Sequence, residues 1–367
     1  MNREEWTYKP MGEVGTFLRG KSILKSDFVE KGMPCIHYGQ VHTKFGVSVD
    51  KYLSEIPVDL YRKSVIASPG DTIIAITSED LEGSCKSTDW IGNCNVAVSA
   101  HAAVYKHNFV PKFIPYYLRS HSFYVEKKKY ARGFKVMEIK PSDLAKIPVP
   151  IPSTETQNFI VSELDALNDS ITMLHQQVKD LDALAQSLFY DMFGEDKAVE
   201  NKWEKCCVGD IYKFQYGKGN NIPEDKGDYP CYGSNGIVGH HTEYNSENAP
   251  IIGHIGAYAG IVNWGYGKHY VTYNGVICNL KDKRFNPIYG FFLLKSQDYL
   301  NMAKRGGAQP FVSYDLLENP KVFIPPVSLQ NDFSNIIIKL EESKSFINKQ
   351  VNELQTLLAS RMQYWFD

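Results

Sequence analysis

The chain is written twice, and that duplication limits its fold more than any other feature. The stretch QQVKDLDALAQSLFYDMF at 176–193 returns as KQVNELQTLLASRMQYWF at 349–366. Gln177, Val178, Leu181, Leu184, Ser187 and Phe193 recur as Gln350, Val351, Leu354, Leu357, Ser360 and Phe366, at a constant offset of 350 − 177 = 173. Just upstream, VPIPSTETQ (149–157) echoes FIPPVSLQ (323–330), and ARG (131–133) echoes KRG (304–306). The beginnings repeat as well. Trp6, Gly12, Phe17, Gly20 and Lys21 recur as Trp203, Gly209, Phe214, Gly217 and Lys218, at an offset of 203 − 6 = 197. The order is therefore module, helix, module, helix.

The helices follow from period. Ile160, Leu164, Leu167, Ile171, Leu174, Val178, Leu181, Ala185, Leu188 and Met192 step by 4 and 3, a heptad seam. Phe333, Ile337, Leu340, Ile347, Val351, Leu354, Leu358 and Trp365 hold the same seam in the second copy, interrupted by Lys344 and Arg361. Pro152 and Ser153 mark a start, and Gly194 a stop. Each helix would run about 40 residues, roughly 60 Å, which favours a paired coiled coil over two core helices of one domain. A compact second module has its ends close together, so the second helix must run back antiparallel to the first. The direct repeat then becomes an approximate two-fold axis. The predicted divisions are 1–151, 152–196, 197–325 and 326–367.

The modules read as short strands and loops. DTIIAIT (71–77), NVAVSAHAAVY (95–105), APIIGHIG (249–256) and GVICNL (275–280) have strand character. IPYYLRSHSFYVEKKKY (114–130) and IYGFFLLKSQDYLNMAKR (288–305) read as helical, and YGSNG (232–236) and WGYGK (264–268) as exposed turns. The fold class is thus α+β, with two mixed modules and two long helices, pseudo-two-fold symmetric. A net charge of −2 conceals an uneven distribution. Ten cations face three acids between 101 and 150, whereas nine acids face Lys179 alone between 151 and 196. A basic module followed by an acidic helix suits a nucleic-acid partner. The seven cysteines are odd in number and include no C-x-x-C pair, so reduced thiols and no metal site are expected. The chain has no run of 18 apolar residues, and MNREEWTYKP lacks a signal-peptide core, so a cytoplasmic protein without a membrane partner is expected.

One motif points elsewhere. GTFLRGKS at 15–22 fits G-x-x-x-x-G-K-[ST], the phosphate loop of nucleotide hydrolases. A working phosphate loop follows a buried strand and opens a helix. Here WTYKPMGEV precedes it, and a Gly and a Pro follow within a dozen residues. In the second copy Gly15 and Ser22 become Tyr212 and Gly219, while Gly20 and Lys21 persist. The informative unit is F-x-x-G-K, a turn presenting a lysine. The sequence contains no G-x-S-x-G, no H-E-x-x-H and no [ND]-P-P-[YF].

The W…G…GK openings, PGDTIIAITSEDL (69–81), YPCYGSNGIVG (229–239), RGGAQPFVSYDLLENPKVFIPP (305–326) and the two P…Q helices together resemble the specificity subunit of a Type I restriction–modification enzyme, across nearly the whole chain. The resemblance implies two target recognition domains, each reading half of a split DNA site, and two helices that dock two copies of an adenine methyltransferase subunit. It implies no catalysis and no cofactor in this chain. S-adenosylmethionine, ATP and Mg are expected on partner subunits, including a restriction/translocase subunit where one is present. Loops that differ between the modules predict an asymmetric site. Lys21 and Lys218 are candidate phosphate contacts. Tyr38, Gln40, His42, Lys44, Ser87, Tyr232, Ser234, Asn235, His240 and Gln309 are candidate DNA-reading residues, and Lys135, Arg132 and Arg305 candidate DNA contacts. Rival readings are a coiled-coil scaffold with two peptide- or glycan-binding modules, and a nucleotide hydrolase built on residues 15–22.

Overall fold

The computed structural model describes residues 6–133, 135–219, 227–303 and 309–367. The chain divides into two compact units, residues 1–174 with 349–367, and residues 175–348. Each unit combines one module with the adjoining half of each long helix. The predicted helices appear as Thr154–Phe193 and Val327–Phe366.

In unit 1 the strands are β1 (Thr7–Pro10), β2 (Gly15–Arg19), β3 (Met33–Ile36), β4 (Ser54–Ile56), β5 (Val65–Ala67), β6 (Thr72–Ala75), β7 (Ser87–Trp90), β8 (Val96–Val98), β9 (Ala102–His107) and β10 (Pro148–Ile151). One sheet runs β2-β9-β6-β7 and ends on Ser48–Val49; another runs β4-β3-β8-β5. In unit 2 the strands are β11 (Glu204–Cys207), β12 (Tyr212–Tyr216), β13 (Tyr229–Gly233), β14 (Gly236–His241), β15 (Ser246–Gly253), β16 (Val262–Val271), β17 (Gly275–Leu280) and β18 (Lys321–Ile324). They form one six-stranded sheet, β12-β17-β15-β16-β13-β14, beside a separate β11-β18 pair.

The two modules share this topology. The run β2-β9-β6-β7 corresponds to β12-β17-β15-β16, and the parallel pair β3·β8 to the parallel pair β13·β16. What unit 1 builds from four short strands, β5 to β8, unit 2 builds from two long ones. A bulge stands where unit 1 has its breaks. Asn248 (φ 45°) and Gly267 (φ 55°) shift the β15·β16 register, and the Gly267 amide donates to Asn248 Oδ1 at 2.8 Å. WGYGK is therefore a bulged part of β16 rather than a free turn, although residues 266–268 are exposed. The stretch 114–130 also departs from a single helix. It breaks into Phe113–Tyr117 and His121–Lys128, where Ser120 accepts from the Phe123 amide and caps the second piece. The stretch 288–305 likewise splits into Pro287–Lys295 and Tyr299–Met302.

Each module closes on itself before its helix starts. β1 pairs antiparallel with β10, and β11 with β18. The repeated glycines explain the fit. A Cβ on Gly12 would lie 2.9 Å from Ala145 Cβ, and one on Gly209 2.9 Å from Glu318 Cβ.

The heptad seam is the packed face. Ile160, Leu164 and Ile171 are buried in unit 1 with Val351; Phe333 and Ile337 are buried in unit 2. Leu167, Leu174, Val178, Leu181, Leu340, Ile347, Leu354 and Leu358 are partly buried. Within each unit the helices run antiparallel. In unit 1, Phe159 and Glu163 meet Trp365 and Arg361; in unit 2, Asp182 and Phe193 meet Lys344 and Phe333. The two seam interruptions are thus ion pairs. Arg361 Nε lies 2.8 Å from Glu163, and Lys344 Nζ lies 2.7 Å from Asp182 and 2.5 Å from Glu341. The long alkyl stems cover the seam while the charged heads reach partners at its rim.

Candidate nucleic-acid interface

The F-x-x-G-K repeat occupies one structural position twice. Phe17 and Phe214 lie on β2 and β12, which pair with β9 and β17. The Gly20 amide donates to Ala102 O at 2.9 Å, and the Gly217 amide to Gly275 O at 2.9 Å. Lys21 N then bonds Val98 O, and Lys218 N bonds Val271 O. A Cβ on Gly20 would fall 2.1 Å from Ser99 O, and on Gly217 2.0 Å from Thr272 O. Only glycine permits so close an approach of two backbones. The following lysines are exposed, and among the described residues neither side chain has an ion-pair partner.

This geometry removes the phosphate-loop reading. Residues Gly15–Arg19 are an extended edge strand, and a short 3-10 turn at Lys25–Asp27 follows rather than a helix. Successive backbone amides of a strand point in opposite directions, so they cannot converge on one phosphate as the amides of a loop and helix start do.

Around Lys21, unit 1 gathers rings. Tyr38 starts the helix Tyr38–Thr43 and donates its amide to Ser99 Oγ at 2.8 Å. Its ring lies 4.6 Å from His37, 5.2 Å from His101 and 6.2 Å from His42. Burial, then the charges of Lys25 and His101, push His37 below the usual histidine range and favour its neutral form. His42 Nε2 sits 2.9 Å from Thr77 O, and its ring edges a cleft of about 710 Å³ shared with Lys86, Arg119, His121, Tyr124 and Lys127. Lys44 and Lys135 are exposed. Arg132 is exposed too, with its backbone paired to Glu138 and its guanidinium 3.5 Å from Asp143.

In unit 2 the counterpart of Arg19, Tyr216, stands between His254 and Tyr314, each 4.3 Å away by ring centroid, with Tyr273 beside them. Asn235 is exposed at the tip of the β13–β14 hairpin, where Gly236 takes φ 87°. His240 and Gln309 are exposed. Arg305 lies outside the described residues.

Four expected readers are turned inward. Ser87 is 1% exposed within β7, so its hydroxyl faces the core. Gln40 accepts from the His37 amide at 3.0 Å and donates to Ser54 Oγ at 2.7 Å, locking the helix start. Tyr232 is buried, with its hydroxyl at Trp264 O. Ser234 Oγ lies 2.7 Å from Ile255 O and 2.8 Å from Asn274 O, tying its turn to the segments just after β15 and just before β17. Gln40, Tyr232 and Ser234 thus spend their polar groups on backbone or core partners, whereas the Ser87 hydroxyl is buried without a hydrogen-bond partner among the described residues; none of the four is presented to a base edge. Sequence reasoning missed His37, His101, Tyr216, His254, Tyr273 and Tyr314. Tyr216 carried a signal, since it directly precedes the repeated Gly-Lys.

Two β-rich modules, each presenting an anchored lysine beside loops of its own, joined to long paired helices, define a duplicated recognition protein. The family model for the Type I restriction modification DNA specificity domain matches residues 3–182 and 200–356. The chain is 26% identical over 289 residues to the Type I restriction enzyme EcoprrI specificity subunit of Escherichia coli, covering 74% of this chain and 72% of that one. It is 27% identical over 178 residues to the StySPI specificity subunit of Salmonella potsdam, covering 46% of this chain and 38% of the relative. The S subunit of a Type I system from M. genitalium shares the fold with TM-score 0.56 at 15% identity, covering 99% of this chain and 96% of that one. A chain from a structure of a Type I R-M system, described for its complex assembly and conformational transition, gives 0.59 at 16%, covering 98% and 97%. The chain belongs to the Type I restriction modification DNA specificity family. Among the described residues no helix is long and apolar enough to cross a membrane, and no cluster of three or more His, Cys, Asp or Glu is placed to hold a metal ion.

Proposed function

We propose that the chain is the non-catalytic DNA-reading subunit of a Type I restriction–modification complex, each recognition domain reading one half of an asymmetric, split site. The observation that carries this is the pair Lys21 and Lys218, anchored by the same glycine contact in both modules and flanked by different side chains. A shared cation suits the phosphate backbone, which is the same everywhere; divergent neighbours suit base edges, which are not. Asn235, His240, Tyr38, His42, Lys44 and Gln309 are the reading candidates that remain exposed or half-exposed.

The helices dock two copies of an adenine methyltransferase subunit, which carries S-adenosylmethionine; a restriction subunit using ATP and Mg joins where one is encoded. Large apolar side chains on the helices support this. Met173 and Phe346, related by 346 − 173 = 173, are each 63% exposed, and Leu184 and Leu357, at the same offset, are 52% and 46% exposed. Repeated exposed apolar positions suit two equivalent partners.

The test is methylation by the complex reconstituted with methyltransferase subunits. Adenine methylation confined to a two-part motif with unlike halves supports the reading. Methylation at a single contiguous motif, or binding to duplex DNA that does not respond to salt, overturns it.

A further inference from the structure

The P…Q echo in the sequence is a repeated joint. Gln157 is 6% exposed and Gln330 0%. Each lies in the first turn of its long helix, five residues after a proline. Gln157 Nε2 donates to Pro152 O at 2.9 Å, and Gln330 Nε2 donates to Pro325 O at 2.9 Å. Each carboxamide oxygen accepts one module amide: Val110 N at 2.9 Å, and Asn286 N at 2.8 Å. Those two amides hold matching places. Val110 stands between Phe109 and Pro111, and Asn286 between Phe285 and Pro287, each just ahead of a short module helix. Gln330 also donates to Arg284 O at 3.0 Å.

Both joints are braced further by contacts that differ between the units: Asp165 lies about two turns beyond Gln157, whereas Asn331 directly follows Gln330 and Ser334 lies about one turn beyond it. In unit 1, Asp165 receives Lys112 Nζ at 2.6 Å and Tyr116 Oη at 2.7 Å. In unit 2, Ser334 donates to Asn286 Oδ1 at 2.7 Å, and Asn331 Oδ1 accepts from Asn286 Nδ2 at 2.9 Å. A buried carboxamide with both ends bonded has one orientation, because turning it opposes donor to donor and acceptor to acceptor. Each glutamine therefore fixes the direction in which its recognition domain leaves its helix, while being buried itself.

We propose that Gln157 and Gln330 are positioning residues for spacer length: they fix where each recognition domain stands, and so the number of base pairs the complex accepts between half-sites. This rests on the split-site reading above. One added base pair moves a half-site by about 3.4 Å and turns it by roughly 35°. A stiff joint rejects that change and a loose joint follows it.

The experiment uses the full chain reconstituted with its methyltransferase subunits. Duplexes carry constant half-sites and spacers from one base pair shorter to two longer, and Gln157→Leu and Gln330→Leu are compared singly and together. The ratio of methylation rates between spacers is read within one sample, so partial loss of folded protein cancels. Discrimination against the longer spacer is expected to fall about tenfold in either variant, with the half-site sequences unchanged. An unchanged ratio with uniformly lower rates would show a purely structural glutamine and overturn the proposal. Where the leucine variants fail to fold, Asn286→Ala loosens the second joint from its rim, and the same two outcomes decide. Failure of the split-site reading is distinguishable, because the wild-type complex would then show no spacer preference to lose.

Discussion

Adding one methyl group at Gly217 should damage unit 2 measurably, and the damage should be matched in unit 1 at Gly20. The Cβ of Gly217→Ala would lie 2.0 Å from Thr272 O, and that of Gly20→Ala 2.1 Å from Ser99 O. Ordinary carbon contacts need about 3.5 Å, so one strand must retreat by about 1.5 Å. The obstructing atoms belong to backbone and cannot swing aside. The same retreat strains the bonds Gly217 N–Gly275 O and Lys218 N–Val271 O. Overpacking of this kind costs about 1–3 kcal/mol, and an immovable carbonyl places both substitutions near the upper end. In units of this size that lowers Tm by about 4–12 °C. Urea and thermal denaturation followed by circular dichroism would measure it. Lys21→Ala and Lys218→Ala, at exposed side chains, should stay within about 0.5 kcal/mol of the parent and serve as controls. If Gly217→Ala matched the parent, or if Gly20→Ala alone were harmful, the structural equivalence of the two Gly-Lys turns would be wrong.

Other outcomes follow from single groups. Lys21→Ala or Lys218→Ala should weaken DNA binding on all sequences alike and reduce the slope of log K against log salt by about 1 each, checked by titration at several salt concentrations. Asp89 has its pKa pushed up to about 7 mainly by burial, so its contribution is fully present below the ordinary carboxylate range and lost as pH rises through about 7. Asp89→Asn should therefore gain stability relative to the parent between pH 5 and pH 8; equal pH slopes would contradict this. Lys344, whose pKa burial pulls down but the bonds and charges of Asp182 and Glu341 together raise above the ordinary value, should support the helix pair at all pH values below its ordinary range and fail only as pH climbs through the raised value. Met173→Asp and Phe346→Asp should each weaken methyltransferase docking without altering the unfolding midpoint, as size-exclusion titration of the complex would reveal.

The duplication, the helices and their seam were legible because they depend on spacing, which sequence displays directly. Residues 160 to 192 bury the face their period marks. Lys344 and Arg361 looked like defects only because their partners, Asp182 and Glu163, lie on the other helix. The reading loops were less legible. Ser87, Gln40, Tyr232 and Ser234 have the polarity of base readers, but Gln40 spends it on a helix start and Ser54, Tyr232 and Ser234 spend it on backbone carbonyls, and the short strand β7 buries Ser87. Pairing decides which way such a side chain faces, and a three- or four-residue strand has too little alternation to announce it. WGYGK looked like a turn because Gly and Tyr suit turns; the bulge across from Asn248 lets them stand within a strand. The matching Phe-x-Pro stretches at 109–111 and 285–287 were visible in the sequence, but only the hydrogen bonds of Gln157 and Gln330 give them a purpose.

The central claim is that each recognition domain reads its own half of a split site. The most direct measurement replaces Asn235 with Ala at the exposed hairpin tip of unit 2 and maps adenine methylation across a genome by the reconstituted complex. The account predicts that one half of the motif relaxes, while the other half and the spacer stay as they were. Relaxation of both halves together, or a motif unchanged at full activity, would contradict it.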